Sequence, residues 1–198
     1  MKILIVGARG TLGKAVAAEL SQRHEIVTAG RSSGDLRVDI ADPASIAAMY
    51  AGAGAVDAVA CAAGNVHFGP LETMTAAEFD LGLRDKLMGQ VKLVLAGRAS
   101  VTPGGSFTLI SGVLSSDPIR YGASASMVNG AIESFVRAAA IELTGHRINA
   151  VSPTLFEESV EAYGAYFRGF DPVPVRRAAL AFAKSIEGAQ TGQIYRVP

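Results

Sequence analysis

The chain has 198 residues, of which 49% are hydrophobic, which suits one globular domain and excludes a disordered chain. Lysine plus arginine and aspartate plus glutamate each number 18, so the charge gives no reason to expect nucleic acid or an anionic membrane as a partner. The single cysteine, Cys61, excludes a disulfide framework and a cysteine-rich metal centre, and we expect no metal site.

The chain opens on a strand, a glycine turn and a helix. The apolar run Lys2–Val6 predicts a buried parallel strand, and Lys14–Leu20 has helical spacing. The glycines between them permit a sharp turn and a close approach of backbone to a phosphate, so that a dinucleotide pyrophosphate would lie on the helix N-terminus. The GxxGxxG spacing meets the GxGxxG fingerprint only loosely, and a glycine turn of an ordinary α/β protein is the alternative. The expected cofactor contacts from this segment are Gly7, Arg9, Gly10, Thr11, Leu12 and Gly13.

The end of the second strand, Glu25–Ala29, bears on which dinucleotide is bound. An acidic residue at this point would accept bonds from the ribose 2′-hydroxyl and repel a 2′-phosphate. Gly30 carries no charge, and Arg31 and Ser32 follow it, a guanidinium and a hydroxyl that suit a 2′-phosphate. We therefore expect NADP(H) rather than NAD(H), with Arg9 as a second positive charge. The alternative is that both arginines are solvated loop residues.

Two further strands add small or polar residues near the same ligand. Leu36–Ile40 predicts a third strand, with Asp39 placed to accept from an adenine amino group and Ile40 beside it. Asp42 is the expected N-cap of a helix from Pro43 to about Tyr50. Asp57–Cys61 predicts a fourth strand, and small residues that let backbone lie against a cofactor follow it: Ala62, Ala63 and Gly64.

Helices and strands continue to alternate in the second half of the chain. Amphipathic spacing predicts helices over Thr75–Ser100, Ala123–Leu143 and Val175–Ile186, and apolar runs predict strands over Ser106–Ser111, Arg147–Ser152 and Gln193–Val197, with a turn at Pro103–Gly105. The aromatic segment Leu155–Asp171 is either a substrate wall or packing under a loop. This order predicts one α/β domain over residues 1–198: a doubly wound parallel sheet of Rossmann type in three α/β/α layers, with ligands beyond the carboxyl ends of the strands.

These segments together resemble the short-chain dehydrogenase/reductase family over nearly the whole chain. The glycine turn, GRS after strand two, AAG at Ala62–Gly64, LIS at Leu109–Ser111, YGAS at Tyr121–Ser124 and VSP at Val151–Pro153 occur in the order that the family has. The resemblance implies a nicotinamide cofactor, further contacts to it from Pro153 and Leu155, and hydride transfer between a carbonyl and an alcohol. In the family, a tyrosine is the general acid/base, a serine holds the substrate oxygen, a lysine four residues after the tyrosine lowers its pKa, and an asparagine anchors a proton relay.

The chain departs from that pattern at three places. Tyr121 matches the tyrosine, but Ala125 stands at the lysine position and Lys86 at the asparagine position. Ser111 matches the first of two usual serines, with Gly112 at the second. Because a phenol needs a nearby positive charge to act near neutral pH, we hypothesise that Lys86 replaces the lost ammonium beside Tyr121. The alternative is that Lys86 extends to solvent or serves a subunit interface. Ser115 and Ser116 compete with Ser111 for the substrate oxygen.

The sequence therefore supports three functional hypotheses. The first is an NADP(H)-dependent oxidoreductase acting on a small carbonyl or alcohol, with Tyr121, Ser111 and Lys86 as catalytic residues. The second is a catalytically silent relative that binds NADP(H) as a sensor or assembly partner. The third is a non-redox enzyme of the same fold, such as an isomerase. The helices Thr75–Ser100 and Ala123–Leu143 are rich in small and apolar residues. The family pairs these helices between subunits, so the resemblance implies a homodimer or homotetramer, although burial within one subunit explains much of the same pattern. With no transmembrane run and no signal-peptide pattern, a cytoplasmic protein is expected.

Overall fold

Alternate side chains of the first strand enter two different cores. In the computed structural model, which describes all 198 residues, β1 (Lys2–Val6) points Leu4 and Val6 to one face of a sheet, and Ile3 and Ile5 to the other. All four side chains are fully buried, as expected for a strand covered by helices on both sides. The strand run and its two-sided burial confirm the α/β prediction.

The sheet has seven parallel strands in the order β3-β2-β1-β4-β5-β6-β7. The other strands are β2 (Glu25–Gly30), β3 (Leu36–Arg37), β4 (Val56–Cys61), β5 (Val101–Ile110), β6 (Arg147–Pro153) and β7 (Ile194–Val197). The helices are α1 (Thr11–Leu20), α2 (Pro43–Ala53), α3 (Ala76–Gly82), α4 (Met88–Gly97), α5 (Ala123–Glu142), α6 (Val160–Tyr163) and α7 (Val175–Glu187). The strand order reverses beside β1, which is the switch point where open α/β sheets bind ligands.

The helices cover both faces and complete the two cores. One core packs the sheet against α2, α4 and α5, with Phe107 and Ile132 among its fully buried side chains. The other packs it against α1 and α7, with Leu20 and Phe182. None of the helices is both long and apolar enough to cross a bilayer.

Most predicted elements are confirmed, with shifts at their ends. The helix expected from Lys14 begins at Thr11, directly after Gly10, and β3 ends at Arg37 rather than at Ile40. Asp42 caps α2 as expected, because its carboxylate accepts from Ala44 N at 2.9 Å.

Two predictions were wrong in detail. Pro103–Gly105, expected as a turn before a strand, lies inside β5, where the register with β4 shifts between Val56 and Ala58. The helix expected over Thr75–Ser100 is not continuous: five residues, Leu83–Leu87, form a π-helical turn between α3 and α4. A π turn inserts one residue into the helical frame, and it is often found at a functional site. Here it contains Lys86.

Candidate functional site

The glycine turn after β1 brings the N-terminus of α1 to the carboxyl edge of the sheet. A Cβ at Gly13 would collide with the carbonyl of Gly7, so this glycine is needed for the turn to close onto the helix. Gly10 is the N-cap of α1, no side chain caps the helix there, and a Cβ would lie 3.6 Å from Gly7 O with no closer neighbour. A helix N-terminus has free N–H groups, and the open space beside Gly10 at this one suits an anion.

A groove of about 330 Å³ continues from this turn across β2 and β4. Seven of the predicted cofactor residues line it, and they are Gly7, Gly10, Arg31, Ile40, Ala62, Ala63 and Gly64. Arg31, an exposed side chain, lies 3.4 Å from Asp39 Oδ1 and 3.9 Å from Asp85 Oδ1. The Asp85 carboxylate also accepts from Asn65 Nδ2 at 2.6 Å, which ties the loop after β4 to the π turn.

Five other predicted cofactor residues do not line either cavity of the site, and they are Arg9, Thr11, Gly13, Ser32 and Asp39. The Asp39 carboxylate accepts from Ala41 N at 3.0 Å and from Arg31, so it closes the turn that leads to α2. Sequence reasoning missed Asn65 and Asp85 in this groove. Their proximity depends on the loop after β4 meeting a helix twenty residues later, for which a single sequence has no local signal.

A second cavity, of about 350 Å³, adjoins the groove at Gly64, which lines both. We call this chamber the aromatic cavity. Its wall is largely apolar and contains four aromatic residues, which are Phe68, Phe156, Tyr163 and Phe167. Three of them belong to the aromatic segment Leu155–Asp171. The predicted contacts Leu12, Pro153 and Leu155 also line it. Lys86 is the only charged residue in the wall, which makes this a suitable chamber for an uncharged molecule.

Lys86 reaches the cavity from the π turn. Its stem passes directly over Gly64, where a Cβ would come within 2.6 Å of Lys86 Cγ. Its Nζ donates to Ser111 O at 3.0 Å and to Asn129 Oδ1 at 2.7 Å. Burial lowers the pKa of the Lys86 amine to about 8, and the nearby Cys61 thiol opposes this shift only weakly. Lys86 is thus a half-buried side chain whose amine bonds to the protein and does not extend to solvent.

The Ser111 hydroxyl is turned away from the role predicted for it. It donates to the carboxylate of Glu133 at 3.2 Å and to Val151 O at 3.3 Å. The same Glu133 oxygen accepts from Ser115 at 2.6 Å and from Ser152 at 3.2 Å. Sequence reasoning missed Glu133, which gathers hydroxyls from β6 and from the end of β5. Ser111 lines the cavity, and its carbonyl oxygen accepts a hydrogen bond from Lys86 Nζ there.

The structure does not bring Tyr121 and Lys86 together. Tyr121 precedes α5, has a φ of +67°, and lines a separate pocket with Arg120, whose guanidinium lies 5.1 Å from the ring centre. Its ring also meets that of Tyr166 edge to face at 6.4 Å. No hydrogen bond joins the Tyr121 hydroxyl to Lys86, and Tyr121 is absent from the wall of the aromatic cavity. The predicted pairing of phenol and ammonium is therefore not present, and catalysis by Tyr121 stays a prediction.

The residues of α5 that do line the cavity are Ala125 and Asn129, four positions apart. They occupy adjacent turns of the helix, as side chains with this spacing do. Asn129 is nearly fully buried, and a Cβ at Gly112 would lie 2.9 Å from its Nδ2, so the glycine gives the amide room. Asn129, the residue of α5 that contacts Lys86, thus lies one helical turn beyond Ala125 and two beyond Tyr121.

A glycine turn at a helix N-terminus, a groove across the switch point and an adjoining cavity together are typical of a dinucleotide-binding protein of the doubly wound class. A family model described as enoyl-(acyl carrier protein) reductase matches residues 6–195. The chain belongs to the short-chain dehydrogenase/reductase family, whose members bind nicotinamide cofactors and act on small molecules as oxidoreductases.

Individual relatives agree with this assignment. The chain is similar to versicolorin reductase stcU of Emericella nidulans, with 29% identity over 76% of this chain and 67% of the relative. It is similar to versicolorin reductase 1 of Dothistroma septosporum, with 28% identity over 85% of this chain and 73% of the relative. Among solved structures, the protein lin1944 from Listeria innocua has 49% identity and a TM-score of 0.98 over the whole of both chains. A small-chain dehydrogenase in complex with NADPH shares the fold, with a TM-score of 0.88 and 24% identity over 100% of this chain and 96% of that one.

The glycine turn permits a matched pair of substitutions. Gly10→Ala adds a methyl group to open space, so we expect a stable protein whose dinucleotide affinity falls by about tenfold, since the methyl group holds a phosphate away. Gly13→Ala forces a collision with the Gly7 carbonyl, so we expect a loss of stability of about 2 kcal/mol or more. Cofactor fluorescence titration and urea denaturation of both variants check this. Equal effects on binding and stability in both variants would contradict the assignment.

Proposed function

We propose that the protein is an NADP(H)-dependent oxidoreductase that interconverts a small uncharged carbonyl compound and its alcohol, with Lys86 as the proton donor. The observation that carries this proposal is the Lys86 amine, which is hydrogen-bonded in an otherwise uncharged cavity. When bound, the nicotinamide supplies or accepts the hydride. The protein's own task is then to hold the substrate and to give its oxygen a proton.

The environment of Lys86 suits that task. A general acid works best when its pKa lies near the working pH, and burial brings this amine to a pKa of about 8. Its two protein partners, Ser111 O and Asn129 Oδ1, are both acceptors and fix two N–H bonds. The third N–H of the ammonium is left for a carbonyl oxygen in the cavity.

Two other residues would act with it. Asn129 Nδ2 has no acceptor in the protein, so it is free to donate to the same substrate oxygen while Oδ1 orients Lys86. Glu133 is a positioning residue, because it holds the Ser111 hydroxyl and so fixes the carbonyl that Lys86 contacts. Tyr121 takes part in this scheme only if the segment before α5 moves toward the cavity.

Arg31 supports the choice of NADP(H) over NAD(H). It lines the groove beside β2, is exposed, and no acidic residue ends that strand. Arg31→Ala is expected to weaken NADPH binding by about tenfold and to leave NADH binding within twofold, since a charge-assisted bond to a phosphate contributes about 1.5 kcal/mol. Arg37→Ala is the matched control, because that side chain bonds to Gly34 O outside the groove. An equal loss for both dinucleotides in Arg31→Ala would refute the preference.

A catalytically silent dinucleotide-binding protein is the second candidate. The observation that favours it is that Ala125 and Gly112 give the cavity wall neither an ammonium from α5 nor a hydroxyl from the loop after β5. Such a protein would bind NADPH in a fluorescence titration and turn over no carbonyl substrate.

Turnover distinguishes the two candidates. NADPH oxidation is followed at several pH values with a panel of uncharged aldehydes, ketones and quinones, using wild type, Lys86→Met and Tyr121→Phe. The proposal expects activity that Lys86→Met removes and that Tyr121→Phe largely keeps. Activity that Tyr121→Phe removes and Lys86→Met keeps would make the Tyr121 phenol, not Lys86, the general acid. NADPH binding without turnover of any panel member would favour the catalytically silent protein.

Self-association is also proposed. Large apolar side chains on α4 and α5 are exposed, with Leu95 at 50%, Met127 at 42% and Ile141 at 84%. Isolated apolar residues need no partner, but several along α4 and the long helix α5 favour a contact with a second copy of the chain. We expect a dimer or tetramer by light scattering, and Leu95→Glu is expected to shift it toward monomer. A monomeric wild type would exclude this proposal. The cytoplasmic location expected from the sequence stays a prediction.

A further inference from the structure

The amine of Lys86 has one hydrogen-bonding position that no protein atom occupies. Nζ donates to Ser111 O and Asn129 Oδ1 and makes no third hydrogen bond. Both partners are acceptors, so they hold two N–H bonds in the charged and in the neutral amine alike. The remaining position is a proton in the ammonium and a lone pair in the amine. Because Lys86 lines the aromatic cavity, a molecule in that cavity can meet either form.

We propose that Lys86 is also a nucleophile, which captures small apolar aldehydes in the aromatic cavity as imines. The Nζ lone pair forms a bond to the carbonyl carbon, and the carbonyl oxygen takes up a proton. Loss of water then leaves a C=N bond, the two amine protons departing with that oxygen. The overall change is aldehyde plus amine to imine plus water, with no oxidant, reductant or cofactor. This activity goes beyond the proposed hydride transfer and does not depend on it.

Desolvation provides the reactive form of the amine. Lysines become nucleophiles in proteins when an apolar pocket disfavours their charge. With a pKa of about 8, roughly one Lys86 amine in ten is neutral near pH 7, whereas an ordinary lysine with a pKa near 10.4 is neutral in fewer than one molecule in a thousand. The fraction rises as the pH approaches 8, so capture is expected to become faster over that range.

The surroundings contain little that would restore the charge. The nearest titratable group from β4 is the Cys61 thiol, whose own pKa burial raises to about 12, so it is neutral. Asp85, the residue before Lys86, is engaged by Asn65 and Arg31. From α5, Glu133 reaches the site only through the Ser111 hydroxyl, and from α6 the phenol side chain of Tyr163 lines the same cavity.

The chamber also selects what is captured. Phe68, Phe156, Tyr163 and Phe167 provide flat apolar surfaces, and the volume of about 350 Å³ lies at the small end of ligand pockets. No guanidinium or second ammonium is present to receive a carboxylate or phosphate. An uncharged aromatic aldehyde such as benzaldehyde therefore fits better than a charged one such as glyoxylate.

Reductive trapping of the cofactor-free protein tests the proposal. The protein is treated with benzaldehyde and sodium cyanoborohydride, whose hydride converts the C=N bond to a stable secondary amine, and modified residues are found by peptide mapping. Lys86 is expected to be labelled at least about tenfold faster than the exposed Lys14, and faster than with glyoxylate. The Met1 α-amino group also reacts with aldehydes near neutral pH, so the mapping scores it separately.

Two variants and one condition complete the test. Lys86→Arg keeps the charge and the donors but forms no imine, and Lys86→Met removes both; each is expected to lose the Lys86 label while circular dichroism shows a folded protein. In denaturant the preference for Lys86 over Lys14 is expected to vanish. Labelling that follows solvent exposure, with Lys86 no faster than Lys14 in the folded protein, would overturn the proposal and leave the hydride-transfer proposal intact.

Discussion

Replacing Lys86 with methionine is expected to lower kcat for carbonyl reduction by at least about a hundredfold, the usual contribution of a general acid. Methionine fills similar space but offers no proton, and it leaves Asn129 Oδ1 and Ser111 O without their donor. Affinity for NADPH is expected to change by less than about threefold, because Lys86 lines the chamber and does not line the groove with Arg31.

The pH dependence gives a second sign of the same role. Reduction needs the ammonium, so kcat/KM is expected to fall as the pH rises through about 8, where Lys86 loses its proton. Alcohol oxidation needs the neutral amine as a base and is expected to rise over that range. Lys86→Arg keeps a proton throughout and is expected to lose the fall above pH 8 while retaining only weak activity.

The matched control is Lys92→Met. Lys92 lies on the same helical stretch, but its Nζ donates to Ala41 O outside both cavities, so activity is expected to stay within twofold of wild type. If Lys86→Met kept more than about a third of the activity, or if its pH profile matched wild type, the proton would have to come from elsewhere, and Tyr121 and Tyr163 would be the next candidates.

Local patterns were enough to predict the scaffold. The run Lys2–Val6 and the glycines after it determine a strand, a turn and a helix within twenty residues, and their parallel arrangement follows from the alternation along the chain. The aromatic segment after β6 was predicted to lie either in a substrate wall or under a loop, and three of its aromatic residues line the cavity, since the segment follows the carboxyl end of a strand.

A single sequence could not predict which side chains lie on the same face of the helices around the cavity. The i, i+4 rule that pairs two side chains on one face holds only inside a helix, and Tyr121 precedes α5, which starts at Ala123. The π turn at Leu83–Leu87 similarly inserts one residue into the helix, so every later side chain points in a different direction from the one that regular α-helical spacing predicts. The residues LRDKL contain no pattern that predicts a π turn. The catalytic role of Lys86 stays a prediction, and the partners of its amine are Asn129 Oδ1 and Ser111 O, not the phenol of Tyr121.

Glu133→Ala is expected to destabilise the fold by about 3 kcal/mol, the largest effect on stability that we predict. The carboxylate is only 3% exposed. One of its oxygens accepts from three serine hydroxyls, and the other lies 3.3 Å from Arg137 and 3.7 Å from Arg196. Removing it leaves buried hydroxyls without an acceptor, and Ser111 alone keeps a second one at Val151 O.

Glu133→Ala is also expected to lower the activity, because Ser111 links Glu133 to Lys86. Glu133→Gln keeps one carbonyl acceptor at the same place, so it is expected to cost about 1 kcal/mol and to retain most of the activity. Glu142→Ala, an exposed position on the same helix, is the control and is expected to change the free energy of unfolding by less than about 0.5 kcal/mol. Urea denaturation of the three variants measures the differences. If Glu133→Ala were as stable as Glu142→Ala, the three hydroxyls would not need this carboxylate, and the account of how Ser111 is held in place for Lys86 would fail.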